Sequence, residues 1–355
     1  MKNRIKFLTF IMVSAFVLSA CSSDDINDLE RPATLGAYEN GLLVIAEGGS
    51  SISGSVSFIS NDFSTTENTI FSNTNAEELG SYVQSIGFNG GLAYIVVQNN
   101  NIHVVNRYTF LKDATISSGL NLPRYMAFAN GKGYVTNWGD GFDPTDDFLA
   151  VVNLQTNAVE TTIPMSEGPE QVLVHDNKLY ISHKGGYGSN NIISVMDLSS
   201  NIINTITVND VPDEMFINSA GDLVVLSEGN LAWTGNESTA SITTINLTTN
   251  SVTQTLAFAD GLHPEQMAYD NGNIYYTLNG AIYKMSDSAT SLPSSPLINL
   301  GNITTYGMSV KNDKLFVTDA KDYVSLGDLI VYDLNTNDKI HTFEVGLIAS
   351  KIYFN

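Results

Sequence analysis

A seven-bladed, all-β propeller of four-stranded blades is the fold this sequence predicts, and three observations predict it. One short phrase recurs seven times, its copies fall one blade apart, and a strand missing from the first copy stands at the other end of the chain. The phrase is a turn pair, a short run of branched and aromatic residues, then a polar loop. It reads "ENGLLVIAEGG" at 39, "NGGLAYIVVQNN" at 89, "NGKGYVTNWGD" at 130, "HDNKLYISHKGG" at 175, "SAGDLVVLSEGN" at 219, "DNGNIYYTLNG" at 270 and "KNDKLFVTDA" at 311.

Aligned on Gly41, Gly91, Gly131, Asn177, Gly221, Gly272 and Asp313, the copies are separated by 50, 40, 46, 44, 51 and 41 residues. A period of about 45 residues is that of a four-stranded propeller blade. Within one period "GPEQVLVHDN" leads in, "KLYISHKGG" follows, "IISVMDLSS" is third and "NIINTITVND" is fourth. Each run is short, partly alternating and bounded by Asn, Asp, Gly or Pro, as strands are. Between third and fourth strands, "FLAVVNLQTNAVETTIPM", "SITTINLTTNSVTQTLAF" and "LIVYDLNTNDKIHTFEV" carry Asn, Asp and Thr, whose side chains bond nearby backbone N–H groups and form turns. No helical period of useful length follows residue 35, and radial repetition of blades protects the sheet edges of a chain this size. The lead-in phrase of the first copy is displaced: "ASKIYFN", residues 349–355, has nothing after it. It is expected to supply the innermost strand of the blade whose other strands begin at Leu42, joining the chain ends and closing the ring.

Ahead of the repeats, Lys2, Arg4 and Lys6 precede an apolar stretch from Phe7 to Leu18, then Ser19, Ala20 and Cys21. That order of basic, apolar and small residues is an export signal, not a membrane anchor. The expected organisation is a signal peptide over 1–20, a tether over 21–34 and the propeller over 35–355. Cys21, the single cysteine, stands where a lipoprotein signal peptidase leaves a lipidated N-terminus. A lipidated Cys21 leaves the mature chain without a thiol, a disulfide or a cysteine metal ligand. Removing residues 1–20 takes three of the 16 basic residues and none of the 37 acidic ones, leaving a formal charge of −24. A field of that sign repels phosphate backbones, so nucleic acid is not an expected partner, and membrane contact is expected through the lipid alone.

Two resemblances extend this reading. The run Ser22-Ser23-Asp24-Asp25 resembles the acidic tag after the lipidated cysteine of surface-exported Bacteroidota lipoproteins. The repeats lack the Gly-His and Trp-Asp pairs of WD40 blades. Their phrase of Pro, two polar residues, apolar strand, Asn-Gly, apolar strand and apolar-Asp/Asn-x-x-Thr resembles the YncE-like propellers over residues 35–355. The layout is similar to cobalamin-binding surface propellers of the BtuG type, partners of TonB-dependent transporters. That resemblance implies an outer-membrane location at the cell surface and a corrinoid-like ligand, without supplying a contact residue.

In a propeller the loops entering the first strands and those between second and third strands open on one face, so candidate binding residues are sought there. The entering loops read Val83-Gln84-Ser85, Pro123-Arg124-Tyr125, Pro169-Glu170-Gln171, Pro212-Asp213-Glu214, Pro264-Glu265-Gln266, Thr305-Tyr306-Gly307 and Ala349-Ser350-Lys351. The long second-to-third loops begin near 137, 183, 227 and 319 and carry Trp138, Tyr187, Trp233 and Tyr323; the opposite face is expected to carry short turns. Exposed aromatics among Asn, Asp and Gly suit a planar or amphipathic ligand, or else each ring plugs its own loop. The candidate ligand-binding residues are therefore Arg124, Tyr125, Trp138, Glu170, Gln171, Tyr187, Glu214, Trp233, Gln266 and Tyr323. Glu170, Asp213, Glu214 and Glu265 could form an acid–base set, a binding ring or a repeated structural cap. His183 and His263 lack a third ligand for a metal site. Asp140, Asp143, Asp146 and Asp147 resemble a calcium loop or a solvated acidic one, with no EF-hand spacing. No catalytic residue, metal site or cofactor is assigned. The chain is read as a non-enzymatic capture protein for a small or medium ligand, serving a TonB-dependent transporter; the alternatives are a surface adhesion or scaffold propeller and a propeller hydrolase or lyase.

Overall fold

The computed structural model describes residues 35–355; the signal sequence, Cys21 and the tether lie outside them. Seven four-stranded antiparallel sheets form the ring. The first blade runs outward from Ala349–Phe354 through Gly41–Ala46 and Ser55–Ser60 to Thr66–Glu67. The other six begin at the channel with Val83–Asn89, Pro123–Ala129, Pro169–His175, Pro212–Ile217, Met267–Asp270 and Thr305–Lys311. The C-terminal strand thus closes the ring, pairing Leu42 with Phe354, Leu43 with Tyr353 and Val44 with Ile352.

Burial explains the sequence pattern blade by blade. Second strands are sandwiched on both faces by neighbouring blades, so Gly41–Ala46 is buried throughout and reads as an unbroken apolar run. Outer strands such as Ala158–Pro164 are mostly exposed and read as polar. The core is a series of interblade layers: Tyr94, Val96 and Ile102 of the second blade pack against Met126, Val135 and Ala150 of the third. Asn-Gly chemistry sets the tight hairpins. Asn130 and Gly131 both have positive φ (52° and 73°), as do Asn271 and Gly272 (48° and 76°), the type I′ geometry that matches strand twist.

A bulge repeats where the innermost strand begins. Register shifts there in six of the seven blades, so that Arg124 and Tyr125 together oppose Thr136, and Glu170 and Gln171 together oppose Ser182. A bulge re-aims side chains, and here it turns one residue, Gln84 or Tyr306, or two consecutive ones, as at Arg124 and Tyr125 or Glu170 and Gln171, to the channel mouth. A hydroxyl opposite the bulge then ties neighbouring blades. Thr136 Oγ1 accepts the Tyr125 N–H at 3.0 Å and donates to the Glu170 carbonyl of the next blade at 2.7 Å. Ser182 Oγ accepts the Gln171 N–H at 3.1 Å and donates to the Asp213 carbonyl at 3.1 Å.

The structure departs from the expected pattern in two places. The first blade's outer strand is only Thr66–Glu67, and a six-residue helix, Ile70–Asn75, follows it because Ile70 and Phe71 plug that blade's core. The opposite face is not uniformly short-turned: the third and fourth strands of the sixth blade, Ala281–Ser286 and Ile298–Asn299, are joined by residues 287–297.

Candidate functional site

Two rings of side chains surround the loop-rich mouth. The bulges supply most of the inner ring, Arg124, Tyr125, Glu170, Gln171, Asp213, Glu214, Tyr306 and Lys351, and in the sixth blade Glu265 and Gln266 enter it from the loop just before Met267–Asp270. The position immediately after each second strand supplies the other: Glu47, Gln98, Trp138, Lys184 and Glu228 in the first five blades. From sequence, the candidates come from the entering strands and the loop aromatics; Lys351 is named in the entering ring without being chosen, and Glu47, Lys184 and Glu228 are missed. The signal for Glu47, Lys184 and Glu228 is their common offset, one residue past the second strand.

The rings interlock by charge. The Arg124 guanidinium grips Glu170 bidentately, Nε to Oε2 at 3.0 Å and Nη2 to Oε1 at 2.9 Å, with the glutamate side chain only 3% exposed. Burial opposes the charge of Arg124, but Glu170 outweighs it and holds the guanidinium firmly protonated. Trp138 lies against that guanidinium, 3.9 Å from its carbon to the ring centroid, and is 6% exposed. This corrects the expected exposed platform: Trp138 seals the ion pair, and Tyr187 meets its edge at 5.7 Å.

Between the fourth and fifth blades, Lys184 Nζ donates to Asp213 Oδ2 at 2.6 Å and to Glu228 Oε1 at 3.0 Å. Burial pushes the Glu228 carboxyl up, against the field of Lys184. Burial also works against ionised Asp213, but Lys184 and Lys351 outweigh it and hold that carboxyl below its usual range. Of the two carboxyls, Glu228 is the one that favours its proton, and Asp213 Oδ1 is buried without a hydrogen-bond partner in the protein. Glu214 is pushed up to about 7, chiefly by burial. His183 is fully buried; one ring nitrogen faces the Ser166 carbonyl at 3.0 Å and the other the Ser194 hydroxyl at 2.8 Å, so it fastens a loop, and burial pulls its pKa down to about 4.

Between the fifth and seventh blades the mouth opens into a cleft of about 500 Å³, walled by Lys184, Glu228, His263, Glu265, Tyr306 and Tyr323. Tyr323 meets Tyr306 edge-on at 5.9 Å. Below it the channel widens into a chamber of about 610 Å³ lined by Tyr125, Gln171, Glu214, Gln266 and Lys351 among others, and Gln266 borders both spaces. Of the ten candidate residues, Tyr125, Gln171, Glu214, Gln266 and Tyr323 line these spaces, and Arg124 and Glu170 brace them. Tyr187 packs on Phe142 at 4.7 Å, away from the cleft. Trp233 is 83% exposed on the loop that gives Leu231 to the cleft wall. In the acidic loop, Asp140, Asp143 and Asp146 accept backbone N–H groups of their own loop, and burial raises Asp147 to about 7.

Residues 40–311 match the family described as Domain of unknown function (DUF5074). The chain belongs to that family. No curated protein matches it by sequence. Among solved structures it is similar to the computationally designed Ika8 protein, with a TM-score of 0.57 and 9% identity over 91% of this chain and 92% of that one. It is also similar to the dihydro-heme d1 dehydrogenase NirN in complex with DHE, at 0.58 and 12% over 91% and 77% of the chains. Hydrazine synthase of Kuenenia stuttgartiensis gives 0.61 and 16% over 77% and 91%. At these identities the likeness carries the fold alone.

Proposed function

We propose that this DUF5074 propeller is a lipid-anchored outer-membrane protein, displayed at the cell surface, that captures one small or medium ligand at its loop-rich mouth for a TonB-dependent transporter. The cleft is the observation that carries the reading. Its size suits a small-molecule site, and it converges a protonated acid, an ammonium group and two tyrosines on one side of a sevenfold ring. A purely structural ring needs no such one-sided opening, whereas a bounded ligand does. Corrinoids are the first candidates, because their amide fringe matches these donors and acceptors and the resemblance to BtuG-type propellers points the same way. The macrocycle is larger than the cleft, so a corrinoid would seat an edge there and lie against Tyr323 and Trp233. Anchoring rests on Cys21 and the basic and apolar residues before it. A second reading, adhesion to a protein or glycan, draws on the exposed loop tips Phe142, Trp233 and Val324, at 82%, 83% and 77%.

Cyanocobalamin and cobinamide titrated by calorimetry test the ligand. Binding is expected, with Tyr323→Ala and Trp233→Ala together costing about 2 kcal/mol, the scale of an aromatic hot spot, and Asn157→Ala on the far face costing nothing. No heat from either corrinoid would remove that ligand class; equal binding by the double variant would remove the aromatic contact. For the anchor, Cys21→Ser is expected to abolish lipid labelling and move the protein to the soluble fraction. Unchanged membrane fractionation would contradict the anchor.

A further inference from the structure

We propose that the channel holds a second binding site, for a small amphipathic carboxylate, in the chamber between the mouth and the opposite face. It does not rest on the mouth reading, because its anchor is Lys351, which does not border the cleft. Four cations border the channel, and one of them, Lys311, is exposed at the far rim with its ammonium 4.6 Å from the centroid of the Phe354 ring. Arg124 is taken by Glu170, and Lys184 by Asp213 and Glu228. Lys351 forms no ion pair among the described residues. Its ammonium group lies 5.4 Å from the centroid of the Tyr125 ring, and the Tyr125 hydroxyl is buried without a hydrogen-bond partner in the protein. A buried donor left unpaired is costly, and the Tyr125 hydroxyl beside an ammonium group without an ion pair calls for an acceptor.

The rest of the chamber defines the ligand. Met126, Val172, Met267, Met308 and Ile352 line it beyond the polar end, so the bound molecule has an apolar body. An ammonium ligand would meet Lys351 head-on. A phosphate dianion would bring two charges to the one unpaired cation at the polar end, in a channel that already holds Glu47, Glu170, Asp213 and Glu214. A single carboxylate matches the one free charge at the polar end, and a small turn of the buried Tyr125 ring would bring its hydroxyl to the carboxylate as second donor. Glu214 can become a third donor when protonated. The groups acting on it are Lys351, Asp213, Lys184 and Glu170, and Gln171 Nε2 lies 3.4 Å from its Oε2. Octanoate stays ionised well below the pH at which Glu214 takes its proton. Affinity should therefore rise as pH falls from about 8 to about 6, the change being centred on the Glu214 carboxyl.

Calorimetry with octanoate and its uncharged isostere octanamide tests this. Octanoate is expected to bind, octanamide about ten- to a hundredfold more weakly, as befits loss of charge-assisted bonds. Lys351→Met should remove the preference, and Tyr125→Phe should weaken octanoate while leaving the melting temperature near that of the parent. Should Lys351→Met fail to fold, Tyr125→Phe and the pH series still decide. No octanoate binding, equal binding of acid and amide, or affinity that falls toward pH 6 would overturn the proposal. A corrinoid titration at the mouth remains independent of all three results.

Discussion

Without residues 348–355 the chain is expected to lose its cooperative fold. The strand Ala349–Phe354 is the innermost member of the first blade, and its last residues also clamp the blades on either side. Tyr353 Oη accepts the Ile86 N–H of the second blade at 3.0 Å, and Arg107 Nε of that blade donates to Asn355 Oδ1 at 2.8 Å. On the other side, Thr318 Oγ1 of the seventh blade donates to the Ser350 carbonyl at 2.7 Å, and Phe354 meets Phe316 edge-on at 5.5 Å. Deletion leaves Gly41–Ala46, buried throughout, as an unpaired edge and uncovers Leu42 and Val44. Losing that burial and the ladder together approaches the whole stability of a typical domain, about 5–15 kcal/mol. Thermal unfolding by circular dichroism, with size-exclusion chromatography, reads the result. Aggregation or a broad, early transition is expected; a truncated monomer that melts like the parent would refute the closure.

The second large effect concerns the sealed ion pair. Glu170→Ala leaves the Arg124 guanidinium buried under Trp138 without its carboxylate, an uncompensated charge that costs about 3–5 kcal/mol. Gln98 Oε1, 3.4 Å from Arg124 Nη1, is too distant to replace it. Glu170→Gln keeps the shape and an acceptor and should lose less. Adding Arg124→Met to Glu170→Ala should recover much of the loss, since the stranded charge is then gone. Urea midpoints measure all of these. A Glu170→Ala protein as stable as the parent would mean that the pair does not hold the third and fourth blades together.

The fold was legible because propeller physics writes itself as a repeat: turn pairs at positive φ, unbroken apolar second strands and a displaced final strand follow from local chemistry and burial. Half of the mouth was legible for the same reason, since Arg124 and Glu170 occupy one offset after the proline and Gln171, Glu214 and Gln266 the next. What the repeat cannot encode is what stands opposite each residue. Trp138 looks like an exposed loop aromatic until Arg124 of its own blade is found beneath it. Lys184 and Glu228 look like ordinary strand ends until the lysine is found bonded to both Glu228 and Asp213. Tyr187 and Trp233 were placed on the correct face, but their side chains lie outside the cleft, where the loop conformations put them. The helix Ile70–Asn75 has no useful length of helical period; Ile70 and Phe71 are held by tertiary packing.

The central claim is that one side of the loop-rich mouth is a ligand site, and hydrogen–deuterium exchange with and without bound cobinamide tests it most directly. The account predicts slower exchange in residues 228–234, 263–266 and 303–306, around Glu228, His263 and Tyr306, with no change in the far-face turns 154–157 and 247–250. Protection confined to those turns, or spread evenly over all seven blades while cobinamide is demonstrably bound, would contradict it.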